Sequence, residues 1–202
     1  ETVVLSGLDD GRAIKAMSLA MQSSCEVSGA AHLPGAQTLL RLEGIRPSVI
    51  SRRDKLLGLL KEFGAAEVLG ERQSRTQWIA IRDVHPLGGD QTRAVWKLSV
   101  TPSMGAEIVN NISRQIDVTY FFDWAGGLIW LSVPTVHDAS VSIVRGSFDQ
   151  GHATLIRAPE SVRANVDVFQ PQTSALAALS ARVKTSFDPV GILNFGRMYR
   201  DQ

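Results

Sequence analysis

The chain has 202 residues, 44% of them hydrophobic, and its 21 Lys and Arg against 20 Asp and Glu leave a formal net charge of +1. That is enough apolar material for a packed core in one large domain or two small ones. The interspersed charges offer no basic face of the kind nucleic-acid binding needs, and no apolar run approaches the roughly 20 residues that cross a bilayer. No segment combines the basic start and apolar run of a signal peptide. The single cysteine, Cys25, rules out a disulfide within the chain; it fits a reducing compartment and reads as an inert strand thiol. Glu1, rather than Met, opens the chain beside a strand-like run, so the expectation is a piece excised from something longer.

Residues 2–7, "TVVLSG", suit a buried strand. Asp9 and Asp10 then offer an N-cap, and Ile14, Met17 and Met21 recur at helical spacing. "CEVSGAA" and "TLLRLEG" read as a pair of strands about a turn at "HLPG". Pro47 opens a helix whose face carries Val49, Leu56, Leu60 and Phe63; Gly64 closes it, and "AAEVLG" is a strand. "TQWIAIRD" alternates and reads as a half-buried strand, and "VHPLGGDQTR" as a loop.

The order then recurs. "AVWKLSV" is a strand, Ser103 can cap a helix carrying Met104, Ile108 and Ile112, and "VTYFFDW" and "LIWLSV" form a hairpin about "AGG". Asp138 can cap a helix through Val141, Val144 and Phe148, and "HATLIRA" is the last strand. Strand, helix, strand, strand, helix, strand thus occurs once before residue 72 and once between 94 and 158, each time the order of a ferredoxin-like unit. The expected fold is α+β: two ferredoxin-like halves, about 1–83 and 94–158, joined into one antiparallel sheet with helices mainly on one face. The sheet's other face must then be wet or covered by something outside the chain. Tyr120, Phe121, Phe122, Trp124 and Trp130 fall on both pleat parities, which argues that the hairpin is buried on both sides. The expected domain spans 1–165, and 166–202 form a terminal helix and a docking tail.

In that last part "VFQPQ" is linker-like, Thr173 can cap a helix, and Leu176, Leu179, Val183 and Phe187 form an apolar stripe. Asp188-Pro189 stops the helix. Gly191, Asn194 and Gly196 let the backbone turn sharply or approach another surface, and Arg197 supplies a fork for a carboxylate or phosphate.

"LSARVKTSFDPVGILNFGRMY" resembles the closing signature of the FAD-linked oxidase C-terminal region: an apolar helix, a Lys, Phe-Asp-Pro, a short apolar step, then Asn-Pro-Gly-Arg or -Lys. Lys184, Phe187, Asp188, Pro189, Gly191, Asn194, Gly196 and Arg197 fall in register, and Phe195 departs where the family usually has proline. "VSGAAHLPG" at 27–35 and "GHATLIRAPESVRANVDVFQPQ" at 151–172 resemble the FAD-binding-subunit family of bacterial glycolate oxidases. The resemblance implies a vanillyl-alcohol-oxidase-type flavoprotein whose N-terminal FAD-binding domain precedes a cap domain and the closing segment. It also implies FAD as the cofactor of the full-length protein, a small 2-hydroxy acid such as glycolate as substrate, and a complex with a second flavoprotein subunit and an iron–sulfur subunit. A cytoplasmic location is expected, with peripheral membrane association through the complex as the alternative. No Gly-rich phosphate loop lies between a strand and a helix here, so bound FAD is not expected on this piece alone.

Flavin oxidation of a 2-hydroxy acid needs a base for the hydroxyl proton and a cation for the carboxylate. Catalytic relatives carry paired histidines, whereas His32, His85, His137 and His152 are dispersed and suggest no metal site. His32 is the first catalytic candidate, set against a turn histidine bonded to backbone; His152 reads as structural. Arg157 and Arg163 flank "APES" as candidates for a substrate carboxylate, set against ordinary surface arginines. Asn194, Gly196 and Arg197 are candidates for contact with FAD or its domain, set against a tail that only seals an interface. Three readings stay open: a cap portion of a flavin-dependent oxidoreductase, a ferredoxin-like small-molecule module, and a non-catalytic scaffold subunit.

Overall fold

A computed structural model describes residues 1–90, 92–135, 138–194, 196 and 198. The first half runs β1 (Thr2–Ser6), α1 (Asp10–Gln22), β2 (Gly29–Leu33), β3 (Gln37–Arg41), α2 (Arg46–Leu59) and β4 (Ala66–Leu69). A linking helix, α3 (Glu71–Arg82), leads to the second half: β5 (Arg93–Val100), α4 (Gly105–Ser113), β6 (Thr119–Asp123), β7 (Leu128–Pro134), α5 (Val141–Arg145) and β8 (Gly151–Arg157). Two further helices follow, α6 (Glu160–Arg163) and α7 (Ser174–Phe187).

All eight strands form one sheet in the order β4-β1-β3-β2-β6-β7-β5-β8. Every neighbouring pair is antiparallel. Counted from its own first strand, the second half reads 2-3-1-4, the mirror of the 4-1-3-2 order of the first. The fold is therefore α+β, two ferredoxin-like halves joined edge to edge. The join is β2 against β6, where His32 pairs with Phe122.

Alternation along the strands sends one set of side chains to each face. On one face Val3, Leu5, Leu40, Trp96, Leu98, Phe122, Ile129 and Leu131 make a continuous core with Ile14 and Met17 of α1, Leu56 of α2, Ile108 and Ile112 of α4 and Val144 of α5. Asp9 caps α1, its Oδ1 accepting the Arg12 N–H at 2.7 Å. The halves approach closely beside α1: Gly126 has φ +98°, and a Cβ there would lie 3.1 Å from Ile14 Cγ1 of α1 and 2.8 Å from the Pro102 carbonyl oxygen of its own half, which leaves room for glycine alone.

The second face differs from the sequence pattern in two respects. The stretch 76–83, predicted as a strand, lies almost wholly in α3. Ser74, Trp78 and Ile81, spaced by four and three, form its buried side; the Trp-Ile-Ile content suits either period, and the helical one wins because it packs. This helix also supplies a cover from inside the chain, where the pattern predicts one from outside. Trp78, Ile81 and Leu87 pack on Val4, Ala31, Leu39, Val95 and Phe121. The Trp78 indole N–H donates to Thr2 Oγ1 at 2.9 Å, and the ring lies over Gly29, where a Cβ would stand 3.0 Å from it. Phe121 and Phe122 are both fully buried, as their opposite parities predict. Two smaller expectations also shift. The "CEVSGAA" strand begins only at Gly29, and Ser103 sits in a 3-10 turn (Pro102–Met104) instead of capping α4.

Candidate functional site

His32 sits at the join of the halves, 1% exposed. Its Nδ1 lies 2.9 Å from Thr38 Oγ1. Its Nε2 faces Asp10 Oδ1 at 3.3 Å but off the hydrogen-bonding direction, so that nitrogen is buried without a hydrogen bond. The Tyr120 hydroxyl donates to Asp10 Oδ2 at 2.7 Å, across 110 positions of sequence. Phe122 stacks on the imidazole with centroids 6.1 Å apart, and Tyr120 meets Phe122 edge-on at 5.5 Å. Strand β3 thus supplies Thr38, β2 His32, α1 Asp10 and β6 Tyr120, a polar chain that locks one half to the other. Asp10 lies in the first turn of α1, where the helix dipole favours a carboxylate. Burial, and then the bond to Asp10, push the Tyr120 phenol well above its ordinary range.

Chemically, the His32 ring exchanges one hydrogen bond with the Thr38 hydroxyl through Nδ1, the tautomer setting which group donates, while Nε2 faces the Asp10 carboxylate without bonding it. Its depth keeps His32 from direct contact with a solute.

The other sequence-predicted residues lie elsewhere. Arg157, on β8, donates from Nη2 to the carbonyls of Leu87 at 3.3 Å and Asp90 at 2.9 Å, and so ties the 3-10 turn His85–Leu87 to the sheet edge. Arg163 ends α6 with an exposed side chain. Asn194 lies in the tail at φ +52°, a left-handed conformation that Asn tolerates better than most residues. Gly196 follows at φ +67°. Arg197 and His137 lie outside the described residues. These candidates therefore occupy separate places: the join, the outer strand, a short helix and the tail.

The start of the tail, from Asp188 to Leu193, is folded back on its own carboxylate. Asp188 Oδ1 accepts the Ile192 N–H at 3.1 Å, and its Oδ2 accepts the Leu193 N–H at 2.9 Å. Lys184 Nζ stands 3.7 Å from the same carboxylate. The backbone bond from Leu193, with smaller help from Ile192 and Lys184, holds Asp188 below the usual carboxylate range. A groove of about 520 Å³ runs between α7 and the returning tail, lined by Leu179, Val183, Lys184, Leu193, Asn194 and Met198. Leu176, Leu179, Val183 and Phe187 are 47–84% exposed, and no residue of α7 is buried.

The second sheet face beyond α3 carries a group that sequence reasoning missed. Phe121, Trp130, Lys97 and Thr154 form one cross-strand row, and Asp123, Leu128, Ser99 and His152 the next. Lys97 Nζ lies 5.6 Å from the Trp124 ring centroid and 5.8 Å from that of Trp130. Only the strand register brings these residues together, so no spacing in the chain announces them. Among the described residues no three His, Cys, Asp or Glu side chains are grouped to hold a metal ion. Nor, among the described residues, is any helix long and apolar enough to cross a membrane.

No protein-family model matches the chain. It is 28% identical over 162 residues to the glycolate oxidase subunit GlcE of Escherichia coli (strain K12), a match covering 80% of this chain and 39% of that protein. The chain thus spans about two fifths of the curated relative it matches, and the similarity supports a distant relation to FAD-linked oxidase subunits.

Proposed function

We propose that the chain is the cap and C-terminal portion of an FAD-dependent oxidoreductase subunit of a glycolate-oxidase-type complex, acting on a small 2-hydroxy acid. The observation that carries this reading is α7 and its tail. A chain that closes both faces of its first half leaves Leu176, Leu179, Val183 and Phe187 open on a helix, and Val190 and Ile192 open in the turn that stops it. An apolar stripe of this kind marks a surface that another body covers, and the tail signature at 184–197 favours the protein's own N-terminal FAD-binding domain. Residues 1–165 would form the cap, and 166–202 would clasp the flavin domain.

Bound flavin would supply the two-electron acceptor for the α-hydrogen of the hydroxy acid. The described residues offer no glycine-rich cradle for a pyrophosphate, so their fit to FAD is confined to the tail. There Asn194, Gly196 and Arg197 would contact the cofactor or its domain. Of the two arginines expected to meet a substrate carboxylate, Arg157 is taken up by the Leu87 and Asp90 carbonyls, Arg163 stays an exposed candidate, and His32 is a residue that orders the cap through Asp10 and Tyr120. The second flavoprotein subunit and the iron–sulfur subunit are the proposed partners in the complex, at the cytoplasmic side.

Absorption spectra test the reading. The intact protein should carry about one flavin per chain, residues 1–202 alone should carry none, and Leu179→Glu with Val183→Glu should strip flavin from the intact protein. Stoichiometric flavin on residues 1–202 alone would overturn it. The depth of His32 favours, as a second reading, a scaffold subunit without chemistry of its own. Asn194→Ala and Arg197→Ala separate the two, because unchanged flavin with lost complex assembly selects the scaffold.

A further inference from the structure

The open half of the second sheet face holds a cavity of about 150 Å³ lined by Lys97, Ser99, Trp124, His152 and Thr154. Its floor is sheet: Lys97 and Ser99 from β5, His152 and Thr154 from β8, directly paired as Lys97 with Thr154 and Ser99 with His152. One wall is the Trp124 indole, 61% exposed and held at φ +50°. A bulky residue in the left-handed region is strained, and such strain collects where a side chain must be aimed. The Trp124 backbone N–H is fixed by Asp123 Oδ1 at 2.8 Å, so the indole is aimed from a tethered corner.

What converges there lacks partners. The Lys97 ammonium makes no ion pair or hydrogen bond to a described residue, and the same holds for the Ser99 and Thr154 hydroxyls and the His152 ring. By contrast, arginines that serve structure on the same sheet are engaged: Arg93 with Asp117 and Ser132, Arg157 with two carbonyls. Lys97 instead lies between two indoles, whose ring faces hold its charge in place without neutralising it. Asp123, at the far end of the Ser99 row, is two strands away from Ser99, and its carboxylate is occupied by the Trp124 N–H.

We infer that this cavity is a binding site for a small monocarboxylate bearing a neighbouring hydroxyl. Lys97 takes the carboxylate as a point charge. Thr154, Ser99 and His152 offer hydroxyl and imidazole groups to the alcohol, and the Trp124 ring walls one side. A concave site in which a few polar groups converge beside an aromatic wall is a common form of small-ligand pocket. The volume suits a molecule of a few heavy atoms. The site deepens the reading above, on which it rests for the choice of acid.

The test is ¹⁹F NMR on the intact protein labelled with 5-fluorotryptophan and titrated with glycolate. Resonances assigned through Trp124→Phe and Trp130→Phe should shift saturably. Those of Trp78 and Trp96, whose indole N–H groups are bonded internally, should stay in place. Lys97→Gln should weaken the response at least tenfold, and Thr154→Val should remove the preference for glycolate over acetate. No shift at Trp124 and Trp130, an undiminished response in Lys97→Gln, or equal shifts with inorganic phosphate or ethylene glycol would overturn the assignment. Flavin content of the same samples keeps the two readings apart. A glycolate response in protein that binds no flavin would strike the proposed function and leave the site standing.

Discussion

At the join between the halves each principal side chain has a partner: His32 has Thr38 and the Phe122 ring, Tyr120 has Asp10, and Phe122 is fully buried. Along α7 the apolar residues recur just as regularly, yet they face solvent. The same periodic signal thus has opposite outcomes in one chain. Periodicity says that a surface wants to be covered, and only tertiary structure says whether the chain covers it. Where it does, the side chains carry stability; where it does not, they are available for assembly.

Substitutions should separate the two regions, beginning with the join. Phe122→Ala removes a fully buried ring and should cost about 3–5 kcal/mol, seen as a lower midpoint in chemical denaturation. Asp10→Asn replaces a charged acceptor of the Tyr120 hydroxyl and should cost about 1.5–3 kcal/mol. Tyr120→Phe should remove most of the same contribution, so the double variant should fall well short of the sum of the two. Additive losses would mean that the Asp10–Tyr120 bond does not link the halves.

Acid should act on the two regions with opposite sign. Asp188 is held below its ordinary range by the Leu193 and Ile192 amides. Its folded pKa is thus lower than its unfolded one, and the stability it gives the tail is present near neutral pH and lost as pH falls below about 4. Hydrogen exchange at the Ile192 and Leu193 amides should quicken there, and Asp188→Asn should quicken it already at neutral pH. Burial raises Asp123, against the opposing bond from Trp124. Its charge costs stability at neutral pH, and that cost is relieved as acid protonates it, so the hairpin should not loosen together with the tail. The smallest effect is expected in α7 itself. Val183→Ser should leave the unfolding midpoint of residues 1–202 within about 0.5 kcal/mol.

The order of elements was legible because each carries its own local signal. Asp9 caps α1, Pro47 lies in the first turn of α2, and Phe121 beside Phe122 announces a strand buried on both faces. The stripe on α7 was equally plain. Trp78, Ile79 and Ile81 misled because three large apolar residues in four positions suit a strand as well as a helix, and the helix is decided by the packing of Trp78 on Gly29 and Thr2. For the candidate sites the sequence offered His32 but not Asp10 or Tyr120 as its partners, and it read His152 as structural and did not single out Lys97. Those partners meet only through strand register and the β2–β6 join, which pair residues far apart in the chain.

The central claim is that α7 closes on a body beyond the described residues. Amide hydrogen exchange along Ser174–Phe187, compared between the intact protein and residues 1–202 alone, addresses it directly. The account expects rapid exchange in the isolated chain and strong protection in the intact protein, with Leu179→Glu and Val183→Glu abolishing the difference. Equal exchange in both would show that the stripe is uncovered in each, and the account would be wrong.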